Sequence, residues 1–152
     1  MATHTAAGFR PRLAAGLGLL GRVPLSLHLL LFRLAVASVF FKAGWSKWAA
    51  WQSTVGLFAE EYRVPVFHPV VAAALATTFE LGCSTLLIAG LATRLATLPL
   101  LAILTVIQLF VYPRAWPEHL TLGAILLLLL TRGPGAISLD RLIGLDARYA
   151  GG

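Results

Sequence analysis

Leu25–Gly44 reads LSLHLLLFRLAVASVFFKAG, and the fold turns on this stretch. About eleven of its residues are Leu, Phe or Val, and twenty such positions as a helix cover roughly the 30 Å of a bilayer's hydrocarbon core. Near its middle stands Arg33. A charge at the centre of a membrane helix costs on the order of 2.5–3.5 kcal/mol on insertion scales, while each large apolar side chain returns roughly 0.3–0.6 kcal/mol. The run can therefore cross with its one arginine and little to spare. Pro69–Leu91 repeats the pattern with Glu80 near its middle. Opposite charges at matching depth on antiparallel neighbours predict a buried polar pair, Arg33 with Glu80. Such a pair is either a functional site or an ion pair that holds two helices in register.

Working outward, Leu95–Tyr112 and Pro117–Thr131 supply two further apolar runs, the last one short. The 152-residue chain is 59% hydrophobic with a mean hydropathy of +0.85, more apolar surface than a soluble domain of this length can hide. The reading is an all-α integral membrane four-helix bundle over residues 25–132, with spans at about 25–44, 69–91, 95–112 and 117–131. Residues 1–24 form an N-terminal cytoplasmic or interfacial tail, and 133–152 a cytoplasmic C-terminal tail. No room remains for a soluble catalytic module. The net charge of +6 follows the positive-inside rule and does not gather into a nucleic-acid-binding face. Arg10, Arg12, Arg22, Arg94, Arg132, Arg141 and Arg148 lie on one side, against Lys42, Lys47, Arg63 and Arg114 on the other. Both termini are thereby expected in the cytoplasm. The single cysteine, Cys83, excludes an internal disulfide and a thiolate metal cluster.

The connection from Trp45 to His68 is too long to be structureless. Trp45, Trp48, Trp51, Phe58 and Tyr62 predict an interfacial segment at headgroup level between the first two spans. Val64–Pro65 and His68–Pro69 then turn the chain back. Short connections at Gly90–Arg94 and Pro113–Pro117 make the later spans antiparallel neighbours. Past Gly133-Pro134-Gly135, apolar residues alternate with Asp140, Arg141 and Asp146, which predicts a short amphipathic helix on the cytoplasmic surface.

Arg33, Ala37, Phe40, Gly44 and Lys47 share one face of the first helix, mostly small, so a neighbour can approach closely. The remaining polar residues gather at one side of the bundle: Lys42 and Lys47, His68, Gln108 and Tyr112, Glu118 and His119. Each alone suits an interface anchor, but their clustering suggests a cavity. Lys47, Gln108, Tyr112 and His119, with Arg33, are the candidate ligand contacts. A quinone head needs such donors beside an apolar tail channel. His68 and His119 are conceivable haem ligands, yet their spacing demands none and no Cys-x-x-Cys-His is present. No metal-ligand pattern occurs, and no catalytic residue is assigned.

At these residues the chain resembles the DoxX family of small four-helix bacterial and archaeal membrane proteins. The resemblance rests on Arg33-Leu34-Ala35-Val36 through Phe40-Phe41-Lys42-Ala43-Gly44-Trp45-Ser46-Lys47, and on Glu80-Leu81-Gly82 with Leu86 through Arg94. Phe58 through Pro65 and Ser138-Leu139-Asp140 also look similar, so it covers roughly residues 26–143. Cys83 and Ser84 depart from a glycine-rich pattern there. The resemblance implies a four-helix membrane fold and participation in membrane redox chemistry, as a subunit of a quinone-linked oxidoreductase or beside oxidative-stress enzymes. Trp116 through Leu120 and Arg132 through Gly135 look similar to members that accompany peptide-based metal-stress systems.

The leading expectation is thus a non-autonomous membrane subunit that supports quinone-linked electron transfer. The chain has no recognisable electron carrier, so a protein partner holds the redox centre. The alternatives are a non-catalytic membrane anchor or assembly protein, including one for a peptide-based metal-stress system, and a small-molecule transporter; the expected association is with the lipid bilayer and with a protein partner or, alternatively, a homo-oligomer.

Overall fold

The computed structural model describes residues 18, 23–62 and 67–145, and these contain helices and connections but no strand. Helix α1 is Leu25–Ala49 and α2 is Trp51–Leu57, which runs into a π-helical turn at Phe58–Tyr62. Then come α3 (Pro69–Ala89), α4 (Thr93–Val106, continued by a second π-helical turn at Ile107–Val111), α5 (Trp116–Arg132) and α6 (Leu139–Leu142). Leu25–Ala49, Pro69–Ala89 and Thr93–Val111 are long and apolar enough to cross a membrane. Helix α5 has 17 residues. The four long helices pack in a ring, α1 on α3, α3 on α4, α4 on α5 and α5 back on α1. Most of the N-terminal tail, Asp146 and Arg148, and the turn residues Arg63 and Val64–Pro65 lie outside the described residues.

The interior combines an apolar core, with Leu29, Val36, Leu87 and Leu100 at its centre, and a set of buried polar side chains, while the outward faces are apolar. Arg33, Glu80, Ser84, Thr93, Thr97 and Asp140 are buried, while Leu31, Leu95, Leu109 and Leu127 are each more than half exposed on outward faces. Outward leucines beside buried polar groups are the pattern of helices solvated by lipid. The Thr77, Ser84 and Thr97 hydroxyls return hydrogen bonds to their own helices, as Thr77 does to Ala73 O (2.8 Å) and Thr97 to Arg94 O (2.7 Å), whereas the buried Thr93 hydroxyl has no partner.

Helix ends follow local chemistry. Proline is tolerated in a first turn because its missing N–H has no intrahelical partner there, and Pro69 opens α3 in this way. Gly90 closes α3 in the left-handed region at φ 69°. Helix α1 does not stop at Gly44, where the apolar run ends, but continues to Ala49 with Trp45 and Trp48 exposed. At Gly44 the α1 and α3 backbones close in: a Cβ there would stand 2.9 Å from Leu81 Cγ and 3.0 Å from Glu80 Cβ. That close approach sets the register of the interface. Gly90 meets the same pair of helices further along, where its Cβ would stand 2.7 Å from Arg33 Nη1.

Residues 133–138 fold back against the bundle, with Gly133, Pro134, Gly135 and Ser138 buried. Of the amphipathic helix expected beyond them, Leu139–Leu142 alone is helical, and its Asp140 points into the protein. The reason is a capping debt elsewhere. Asp140 accepts from the free backbone N–H groups of Ala92 (2.6 Å) and Thr93 (3.0 Å) at the start of α4.

Candidate functional site

Lys47 lies three residues beyond Gly44 on the same face of α1, so the close helix contact carries its side chain over α3. Its Nζ donates to both carboxylate oxygens of Glu80, at 2.9 and 2.7 Å. Glu80 is 1% exposed and the Lys47 side chain 18%, so the carboxylate is sealed while the lysine is only partly buried. The backbone carbonyl of Lys47 accepts from Thr54 Oγ1 (3.1 Å), which ties α2 to the end of α1.

The pairing expected between Arg33 and Glu80 does not form. Arg33 is fully buried, but its Nη1 donates to Pro134 O (2.8 Å) and Ile137 O (2.9 Å) at the opposite end of the bundle. The physical reason is register. Gly44 abuts Glu80 and Gly90 abuts Arg33, so eleven residues down α1 match ten along antiparallel α3. Arg33 and Lys47 are fourteen residues apart on α1, roughly 21 Å of rise. Lys47 is thus the cation level with Glu80, and Arg33 is no part of a site built around that carboxylate.

Beside Lys47 and Glu80 opens a cavity of about 510 Å³ between α1, α3, α4 and the start of α5. Its walls are mostly apolar, with Phe40, Leu75, Phe79 and Ile103 among them, and its polar groups are Lys47, Glu80, Tyr62, Tyr112 and His119. A volume of this order with few convergent polar groups is typical of small-molecule sites. Two features of α4 shape one wall. Pro99 interrupts its hydrogen-bond ladder, and the π-helical turn at Ile107–Val111 widens the helix before Tyr112. A second pocket of about 210 Å³ between α1 and α2 shares Lys47, Phe58 and Tyr62 with the first.

Four sequence candidates are placed as follows. Lys47, Tyr112 and His119 line the cavity, and Gln108 stands behind His119, its Oε1 2.6 Å from His119 Nδ1. Gln108 Nε2 donates to Pro113 O at 2.9 Å, which fixes the amide. Tyr62, which the sequence suggests only as part of an aromatic belt, packs edge-on against Tyr112 with ring centroids 6.2 Å apart and against Phe58 at 5.0 Å. Burial, then the neighbouring Tyr112 phenol, pushes the Tyr62 phenol above its usual range. The backbone acceptors of Arg33 and the capping role of Asp140 carry no side-chain pattern that would have flagged them. The spacing that does signal Lys47 is its place on the face Arg33, Ala37, Phe40, Gly44.

Compared with known families, residues 28–113 match the DoxX family model, more than half of the chain. Neither a curated protein nor a solved structure matches it.

Proposed function

The chain belongs to the DoxX family and is a multi-pass membrane protein, and from that premise we propose that it is a membrane subunit that holds a quinone-class molecule for a redox partner. The observation that carries this reading is the cavity of about 510 Å³ with a buried Lys47–Glu80 pair in its wall. A quinone fits the donor set: aromatic and aliphatic walls for a ring and isoprenoid tail, and hydrogen-bonding groups for ring oxygens. When bound, the quinone supplies two-electron chemistry that no side chain of this protein offers. The electrons come from a redox centre on the partner.

The protein's own residues orient and enclose. Lys47 has three N–H donors and gives two to Glu80, so one remains for a ring oxygen. Glu80 holds the amine in place and balances its charge in a medium where an unpaired charge is costly. Tyr112 and His119 provide polar contacts at the cavity wall. Phe40, buried in the core, and Phe79 give the cavity apolar walls for the ring and tail.

The test is titration of the purified protein in mild detergent with decylubiquinone, followed by quenching of tryptophan fluorescence. Saturable quenching is expected, and it should be lost in Ala76→Phe, which fills the cavity. Quenching that never saturates, or that ignores Ala76→Phe, would overturn the reading in favour of a membrane anchor that touches no substrate.

A further inference from the structure

The hydrogen-bond chain behind His119 fixes which nitrogen the ring offers the cavity. Pro113 O is an acceptor with no proton to give, so the Gln108 atom bonded to it at 2.9 Å must be the amide Nε2. Turned the other way, the amide would set oxygen against oxygen. Gln108 Oε1 therefore faces His119 Nδ1, 2.6 Å away. Oε1 only accepts, so Nδ1 must carry the hydrogen. In the neutral imidazole the second nitrogen, Nε2, is then a bare lone pair. His119 lines the cavity while its Nδ1 edge is engaged by Gln108, which leaves Nε2 as the nitrogen available to an occupant.

From this we infer that the site is built for a hydroxyl-bearing aromatic ligand, the quinol form of the quinone class, with His119 Nε2 accepting the ligand's O–H. The inference rests on the quinone-class reading above and deepens it. The polar groups at the cavity are asymmetric. Lys47 presents donors and no acceptor, whereas neutral His119 presents an acceptor and no donor. A quinone has two acceptor oxygens: one can meet Lys47, but the other would set its lone pairs against those of Nε2. A quinol hydroxyl both accepts and donates, so it satisfies either partner. A buried acceptor that meets no donor loses discrimination energy of the kind that separates hydroxylated ligands from their analogues by large factors. Tyr112 and Tyr62 hydroxyls rotate to suit either form and so do not decide between them.

The preference has a consequence for the partner. If the quinol binds tenfold more tightly than the quinone, the bound couple becomes about 30 mV easier to reduce, by the two-electron conversion. A partner that delivers electrons into the site is favoured over one that withdraws them.

The experiment compares decylubiquinol, decylubiquinone and the dimethyl ether of decylubiquinol, bound anaerobically to the protein in detergent across a series of pH values, the neutral-ring comparison being read where the relative affinities no longer change with rising pH. The quinol is expected to bind at least tenfold more tightly than either other ligand. His119→Phe removes the acceptor, and Gln108→Leu frees the ring to present either nitrogen; both should bring the three affinities together. Gln108→Leu keeps the test open should His119→Phe fold poorly. Saturable binding with equal affinities, with a quinone preference, or with a quinol preference that survives both substitutions would overturn the inference and leave the quinone-class reading standing. Saturable binding by none of the three would overturn both.

Discussion

Glu80 of α3 receives both of its side-chain hydrogen bonds from Lys47 of α1, at 2.9 and 2.7 Å, and the arginine nearer the middle of that helix takes no part. Removing one partner from a buried pair typically costs about 3–5 kcal/mol, because the other charge is stranded. Lys47→Met and Glu80→Gln are each expected to lower thermal stability in detergent by an amount in that range. The double variant should recover part of the loss. Arg33→Leu combined with Glu80→Gln should instead lose the sum of the two, since Glu80 abuts Gly44 and roughly 16 Å of helix rise separates Gly44 from Arg33. Coupling between Arg33 and Glu80, with none between Lys47 and Glu80, would contradict the register.

That register depends on Gly44. A Cβ there would stand 2.9 Å from Leu81 Cγ and 3.1 Å from the Leu81 backbone N, so the two helices would have to shift to admit it. Overpacking of this kind costs about 1–3 kcal/mol, so Gly44→Ala should destabilise the protein and loosen the Lys47 contact. Gly82, also in α3, has nothing within 4 Å of its virtual Cβ. Gly82→Ala should be neutral or slightly stabilising through helix propensity, by at most about 1 kcal/mol. Paired melting curves decide it, and equal losses for the two alanines would rule out the close approach.

The all-α membrane fold was legible because hydrocarbon thickness translates into run length, and α1, α3 and α4 announce themselves by twenty or so apolar positions. The pairing was not. The apolar run of the first span ends at Gly44, which makes Lys47 look like an interface anchor, yet the helix and its face continue to Ala49. Matching Arg33 to Glu80 by distance from the span ends assumed that both helices end level with their apolar runs. The partners of Arg33 could not be read either. They are carbonyls of Pro134 and Ile137, more than a hundred residues away, and backbone oxygens leave no trace in side-chain pattern. At the cavity, one-sided clustering of polar residues gave the neighbourhood, while the role of Gln108 needed coordinates.

Orientation can be tested with a single cysteine. Cys83 is buried, so Cys83→Ala provides a clean background. Seven basic residues against four favour Arg94 on the cytoplasmic side with Trp51 and Trp116 outside. Impermeant maleimide on intact cells should label Trp51→Cys and Trp116→Cys but not Arg94→Cys. The reverse pattern would invert the topology and turn the Lys47 end of the bundle toward the cytoplasm.

Tyr62 makes the α2 end of the bundle sensitive to alkali. Its phenol is held above the ordinary value of 10.0, first by burial and then by Tyr112. Between the unfolded and folded values the native state keeps a proton that the unfolded chain has released. Stability from this group is therefore full below about pH 10 and declines as pH rises through that window. Tyr62→Phe should be less stable-dependent on pH there than the parent, measured by unfolding midpoints alongside ultraviolet phenolate absorbance. Identical slopes for the two proteins would mean that Tyr62 titrates as a free phenol.

At the other end, the C-terminal segment behaves as a fifth packing element held by polar joints, one of them the Ala136 N–H donating to Ser26 Oγ of α1 at 3.0 Å. Arg33 Nη1 binds the carbonyls of Pro134 and Ile137, and Asp140 caps α4 through Ala92 and Thr93 while its own N–H donates to Gly90 O at 2.9 Å. Asp140→Ala deprives two helix N–H groups of their acceptor, a loss of about 1–2 kcal/mol. Asp140→Asn keeps one oxygen and should lose less. Gly90→Ala should be worse than either: it forces a side chain into φ 69° and sets a Cβ 2.7 Å from Arg33 Nη1 and 2.8 Å from Ser138 Cβ. Protease applied to the detergent-solubilised protein should then cut after Arg132 or Arg141 sooner in each variant, in the order Asn, Ala, Gly90→Ala. Cleavage rates that match the parent while melting temperature falls would show that the segment does not open, and that the joints stabilise the bundle without tethering its tail.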